Sequence, residues 1–182
     1  EYEVLSNLKA RRVDGVVLIS CITNANSIPR RFQELYFDSP VVLADRSVKN
    51  LNLDLVTSDN EKRAYEETKK LISMGHSKIG VVFYSGVATI ADRFNGYRKA
   101  LKDSGLDFSQ QLVLSTDKLS SLSRQRIGTY LDENRDMTAV IVFNNSILAR
   151  FLLAMREKEK AIGKDISIIT WDDDDLNELM GI

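Results

Sequence analysis

Short apolar runs alternate with longer amphipathic stretches along the chain, and the two kinds of segment predict different elements. VDGVVLIS (13–20), a β-branched run opened by Asp-Gly, predicts a buried strand; SPVVLADR (39–46) predicts a second and LDLVTSD (53–59) a weaker third. Between the first two, IPRRFQELYF (28–37) carries Phe32, Leu35 and Tyr36 at helical spacing. Residues 60–74 form the clearest helical pattern of the first half, with Ala64, Thr68, Leu71 and Ile72 on one face. Ser58 and Glu61 have capping-box spacing at its start, and Gly75 sits where a helix ends in the left-handed conformation.

The alternation then repeats. KIGVVFY (78–84), QLVLST (111–116), TAVIVF (138–143) and ISIITW (166–171) predict strands. Helical patterns over 91–104, 121–134 and 146–160 place Phe94, Tyr97 and Leu101, then Leu122, Ile127, Tyr130 and Leu131, then Leu148, Phe151, Leu152 and Met155 inward. Continuously apolar strands separated by helices imply a parallel sheet covered on both faces. Ligands of such sheets bind beyond the carboxyl ends of the strands.

Composition narrows the chemistry. At 43% hydrophobic and 28% charged, the 182 residues can build a core of one domain or two small lobes. Twenty-five basic residues against 26 acidic ones offer no electrostatic footprint for nucleic acid or a membrane surface. No run is long and apolar enough to span a bilayer, the opening EYEVLSNLKARR lacks a signal-peptide pattern, and a cytoplasmic globular protein is expected. The start reads as the inside of a helix, so residues are expected ahead of it. One cysteine, Cys21, and one histidine, His76, leave no disulfide and no zinc spacing, and neither a metal nor a cofactor is expected.

The residues leaving the strands at their carboxyl ends are Ser20, Asp45 with Arg46, Asp59, Asn144 with Asn145, and Asp172, and Arg93 opens the helix after 78–84. This set contains no base-activated nucleophile, so an enzyme is not expected. Carboxylates, amides and a guanidinium suit a ligand rich in hydroxyl groups. Each also has a structural explanation: Asp59, Asn60, Asn144 and Asn145 as helix caps, Arg93 as a surface residue, His76 as a helix C-terminal partner. The run Asp172 to Asp175 admits a metal cluster, a carboxylate site or turn chemistry, with Asp175 and Glu178 at capping-box spacing for a short helix over LNELM.

Order and spacing sharpen this. VDGVVLIS, SPVVLADR, VTSDNEKRAYEETKKLISMGHSKIGVV, RFNGYRKALKDSGL, TAVIVFNNSILARFLLAMRE and DISIITWDD occur in succession. Together they resemble the effector-binding core of the LacI/GalR family of bacterial transcription regulators over almost the whole chain, LISMGHSKIGVV being the most specific piece. The resemblance implies an α/β periplasmic-binding-protein-like fold of type I: two Rossmann-like lobes with parallel sheets, residues 1–77 and 78–182, and an effector cleft between them. It implies a helix-turn-helix, a hinge helix, an opening strand and a C-terminal crossover segment, none of which is in this sequence. It implies a homodimer that reaches operator DNA through that helix-turn-helix, and a small effector, a sugar or sugar phosphate.

Carried over by motif, Arg93 matches the arginine three residues before the Gly-aromatic pair, here Gly96-Tyr97. Asn144 matches the amide of the usual Asn-Asp pair, and Asn145 stands where aspartate is common. Asp172 matches the first carboxylate of Gly-aromatic-Asp-Asp, here Thr-Trp-Asp-Asp. Thr170 thus replaces a glycine, and Trp171 a smaller aromatic that leaves the pocket wider. Ser20, Asp45 and Asp59 match first-lobe positions, and STDKLS (115–120) is expected to supply another wall residue. A periplasmic sugar-binding protein on the same fold is the alternative, and an enzyme on a doubly wound sheet a further one.

Overall fold

In the computed structural model the alternation becomes two parallel sheets; the structure describes residues 1–21, 40–172 and 177–178. The chain divides into two units, Glu1–Asp59 with Gly86–Ala91, and Asn60–Ser85 with Asp92–Ile182. The helix expected over 28–37 and the readings on Asp173, Asp174 and Asp175 lie outside the described residues.

In the first unit, helix α1 (Tyr2–Ala10) precedes strands β1 (Val16–Leu18), β2 (Val41–Ala44) and β3 (Asp54–Val56), which pair in that order, all parallel. Leu5 of α1 packs on Val41, with Val16, Leu18, Leu51 and Leu53 around them. Because successive strand side chains point to opposite faces, Val17 falls on the other side and is 77% exposed, as is Val56 at 69%. The strand at 13–20 is therefore half-buried on one face, through Val16 and Leu18, and exposed at Val17 on the other.

The second unit holds α2 (Asn60–Ser73), β4 (Ile79–Tyr84), α3 (Ala88–Asp103, shared with the first unit at its start), β5 (Val113–Thr116), α4 (Arg124–Glu133), β6 (Ala139–Val142), α5 (Asn145–Glu157) and β7 (Ser167–Thr170). Its strands run parallel in the order β5-β4-β6-β7, with Val81 opposite both Val113 and Ile141, and Ile141 opposite Ile169. One face of this sheet carries Val82, Leu114, Val140 and Val142 against Leu122, Ile127, Tyr130 and Leu131 of the α4 region and Ile147, Leu148, Phe151 and Met155 of α5. Alternation sends Ile79, Val81 and Phe83 to the opposite face, where Phe83 meets Phe94 of α3 at 5.2 Å between ring centroids. β4 and β6 are apolar throughout because both of their faces are covered.

Two glycines are dictated by space. Gly80 lies under α4, where a Cβ would come within 2.3 Å of both the Tyr130 hydroxyl and the Met137 sulfur. That hydroxyl donates to the Leu112 carbonyl at 2.9 Å, and burial holds the phenol well above its ordinary pKa. Gly96 lets α3 press onto α2: a Cβ there would sit 2.1 Å from the Glu61 carbonyl oxygen and 2.9 Å from the Tyr65 nitrogen. Both helices of this contact lie in the second unit from Asn60 and Asp92 onward.

Helix ends follow local chemistry. Gly75 has φ +95°, and the His76 N–H reaches back to the Leu71 carbonyl at 3.1 Å, the left-handed ending its position predicts. His76 Nδ1 lies 2.9 Å from Thr138 Oγ1, so the ring ties the end of α2 to the residue before β6. α2 begins at Asn60, and α3 begins at Ala88, a turn earlier than the pattern over 91–104 indicates. The residue ahead of it, Val87, has no side chain that can cap, so the sequence does not mark this start.

Candidate functional site

The carboxyl ends of β6 and β7 gather the second unit's polar residues into one corner. Arg93 rises from the second turn of α3 and is only 8% exposed, not the surface residue that its isolated position suggests. Its Nε donates to Asn60 Oδ1 at 2.8 Å and its Nη1 to the Phe143 carbonyl, also at 2.8 Å. The guanidinium carbon lies 4.1 Å above the centre of the Trp171 ring, a cation–π stack. Trp171 in turn meets Phe143 edge-on at 6.1 Å. A buried cation is costly unless its N–H groups are satisfied; here amide, carbonyl and indole share that task.

Next to this stack, the side chain of Asn144 caps α5, its Oδ1 accepting the Ser146 N–H at 2.9 Å. The Asp172 carboxylate accepts the Asn145 N–H at 3.1 Å, placing a negative charge at the positive end of the same helix. Thr170 Oγ1 donates to Asn145 Oδ1 at 3.0 Å, so two residues at which the chain departs from the regulator pattern are bonded to each other. Asn177 donates from Nδ2 to the Asp172 carbonyl at 2.8 Å.

Arg93, Asn144 and Asp172 are thereby brought together. Replacing Asn144 with alanine removes the cap of α5, and the expected loss is about 1 kcal/mol, read as a shifted midpoint in urea unfolding.

Ser20, Asp45 and Asp59 belong to the first unit. Ser20 is buried, and its hydroxyl donates to the Glu1 carboxylate at 3.0 and 3.1 Å. The same carboxylate accepts the Cys21 N–H at 2.7 Å and the thiol at 3.2 Å; that thiol contact, with some burial, raises the Cys21 pKa. Asp45 ends β2 in the left-handed region, φ +68°, a conformation that Asp tolerates better than most residues. Its Oδ2 pairs with Arg46 Nε at 3.0 Å and Nη2 at 2.9 Å, and its carbonyl accepts from Thr57 Oγ1. Asp59 immediately precedes α2 and is exposed.

Two members of the corner escape sequence reasoning. Asn60 reads as a helix cap, and nothing local reveals its bond to Arg93. Trp171 reads only as an enlarged ring, although its position next to Asp172 is a signal that it borders the corner. Among the described residues no His, Cys, Asp or Glu side chains are grouped as a metal ion would require, and no helix is long and apolar enough to cross a membrane.

Comparison with known proteins agrees with this architecture. The family described as periplasmic binding proteins and sugar binding domain of LacI family matches residues 1–170. The HTH-type transcriptional regulator DegA of Bacillus subtilis (strain 168) is 27% identical over 180 residues, which are 98% of this chain and 53% of DegA. The chain spans about half the length of the curated relatives it matches. The crystal structure of transcription regulator CcpA of Lactococcus lactis superposes with a TM-score of 0.77 at 24% identity, over 97% of this chain and 64% of that one. A complex of the transcriptional regulator CelR with cellobiose gives 0.79 at 23% identity, over 97% and 54%. At these identities the two structures speak for the fold.

Proposed function

The chain belongs to the family of periplasmic binding proteins and sugar-binding domains of LacI-type regulators, and on that premise we propose that it is the effector-sensing part of a DNA-binding transcription regulator. The observation that carries the proposal is the corner at the ends of β6 and β7, where Arg93, Asn144 and Asp172 meet around Trp171. Donors, acceptors and a carboxylate held on rigid elements are what recognition of a hydroxyl-rich molecule needs. The proposed effector is a sugar or sugar phosphate, bound by these three residues together with Ser20, Asp45 and Asp59 of the first unit and a residue of the 115–120 segment. Its role is binding without bond-making, since the corner offers no nucleophile with an adjacent base.

In the whole protein the effector acts through a conformational equilibrium: it shifts DNA affinity only as far as it binds one conformation better than the other. The regulator is proposed to be a cytoplasmic homodimer that reads its operator through a helix-turn-helix. The relative DegA is named as a regulator of that type, which favours this reading over a periplasmic transport protein.

A thermal-shift screen of sugars, sugar phosphates and purines tests the proposal. A ligand at a hundred times its Kd adds about 2.7 kcal/mol of stability, a rise of several degrees for a chain of this size. The shift is expected to vanish in Arg93→Ala and in Asp172→Ala. A ligand whose shift survives both changes binds elsewhere and refutes the assigned corner.

A further inference from the structure

The segment joining β5 to α4 leaves the carboxyl end of the sheet at Thr116, whose carbonyl accepts the Ser85 N–H at 2.6 Å. It then makes a single 3₁₀ turn, Leu119–Ser121, before Ser123 caps α4 by accepting the Arg126 N–H at 3.1 Å. The turn closes on its own backbone, Leu119 O accepting the Leu122 N–H at 3.1 Å, and two arginines add further donors to the carbonyls around it. Arg150 of α5 donates from Nη1 to Leu119 O at 2.9 Å and Leu122 O at 3.1 Å. Arg126 of α4 donates from Nη2 to Ser115 O at 3.0 Å and from Nη1 to Ser121 O at 3.5 Å.

Neither arginine pairs with a carboxylate among the described residues. Both charges are therefore directed at backbone carbonyls, Arg150 through the two N–H bonds of Nη1 and Arg126 through both of its terminal nitrogens. Leu122 is fully buried and anchors the far end of the segment in the core, while Asp117 and Lys118 face solvent. Helix α5 is the common support. It carries Arg150, is capped by Asn144, and receives Asp172 at Asn145.

We propose that Arg150 is a positioning residue for the effector. It holds the 117–122 segment in register with Asn144 and Asp172, with Arg126 as the second attachment. This rests on the sensing function proposed above. Arg150 touches no effector itself; it acts by fixing the shape of the wall that does.

The test measures Kd by calorimetry for glucose, cellobiose, glucose 6-phosphate and ribose 5-phosphate on the chain and on Arg150→Met, Arg150→Lys and Met137→Ala. Amide hydrogen exchange over 117–122 is followed in each. Met137 is buried beside Tyr130, in the turn before β6, so its truncation lowers the melting temperature without touching the segment. For whichever probe binds the unaltered chain, Arg150→Met is expected to raise Kd by about tenfold and to speed exchange across the segment. Arg150→Lys falls between, and Met137→Ala keeps Kd within about twofold. If Arg150→Met lowers the melting temperature but leaves Kd or exchange unchanged, the inference falls and the sensing function stands. If none of the four probes binds the unaltered chain, both fall together.

Discussion

Gly96→Ala is expected to lower the unfolding free energy by about 2–3 kcal/mol, although alanine is the better helix former by about 1 kcal/mol. The added methyl carbon would lie 2.1 Å from the Glu61 carbonyl oxygen and 2.9 Å from the Tyr65 nitrogen, both backbone atoms of α2. A side chain can swing aside, but a helix backbone retreats only as a whole, pulling α2 off α3 and loosening Ala64 and Tyr97, which have no exposed surface. For a chain of this length the melting temperature should fall by roughly 5–10 °C. Gly128→Ala is the internal comparison. Gly128 is also helical and buried, but its methyl would meet only the flexible end of Lys158 at 3.2 Å. The same substitution there should be neutral or slightly stabilising, within about 0.5 kcal/mol. Urea unfolding of the two variants side by side decides the matter, and equal effects would refute the account.

Arg93→Ala should cost more, about 3–5 kcal/mol. It removes two charge-assisted hydrogen bonds of 2.8 Å made in a buried setting, and the cation stacked on Trp171. It also leaves the Phe143 carbonyl without that donor at the residue where β6 turns toward Asn144. Arg93→Lys keeps the charge but neither the fork nor the planar face, so it should recover only part of the loss. Trp171 is the only tryptophan of the chain, so its fluorescence reports on this corner alone. Emission should shift in both variants in the folded state, and again when an effector binds the unaltered chain. An Arg93→Ala protein with unchanged emission and unchanged stability would show that the stack does not form in solution.

The second sheet was legible because β4 and β6 are covered on both faces and leave unbroken apolar runs in the sequence. The first sheet was less so: Val17 belongs to the same kind of run as Val81, yet one is mostly exposed and the other fully buried. Composition cannot say which face of a strand will be covered. The start of α3 is not marked in the sequence because Val87, the residue ahead of Ala88, has no side chain that can cap. The capping role of Asn144 was one of two that the sequence offers it, since an amide ahead of an apolar helical pattern satisfies the helix's first N–H groups. Arg93 was different. Its neighbours in the sequence suggest a surface residue, and its place after β4 and the resemblance to the regulator family single it out instead. The partners that bury it arrive through tertiary structure, one of them from 33 residues away, beyond the reach of any periodicity.

The hydrogen bond between Thr170 and Asn145 has a consequence for anyone who would move this corner into another protein. It joins the last residue of one strand to the first residue of a helix that precedes it in the chain, and the adjacent Asp172 is tied to the same helix residue. Grafting β7 with Asp172 would bring a hydroxyl to a host lacking the Asn145 side-chain amide and a carboxylate to one lacking the Asn145 backbone N–H; grafting α5 alone would strand both. The unit of exchange is the bonded trio, and chimaeras cut between residues 145 and 170 should retain recognition only when both parents supply matching halves.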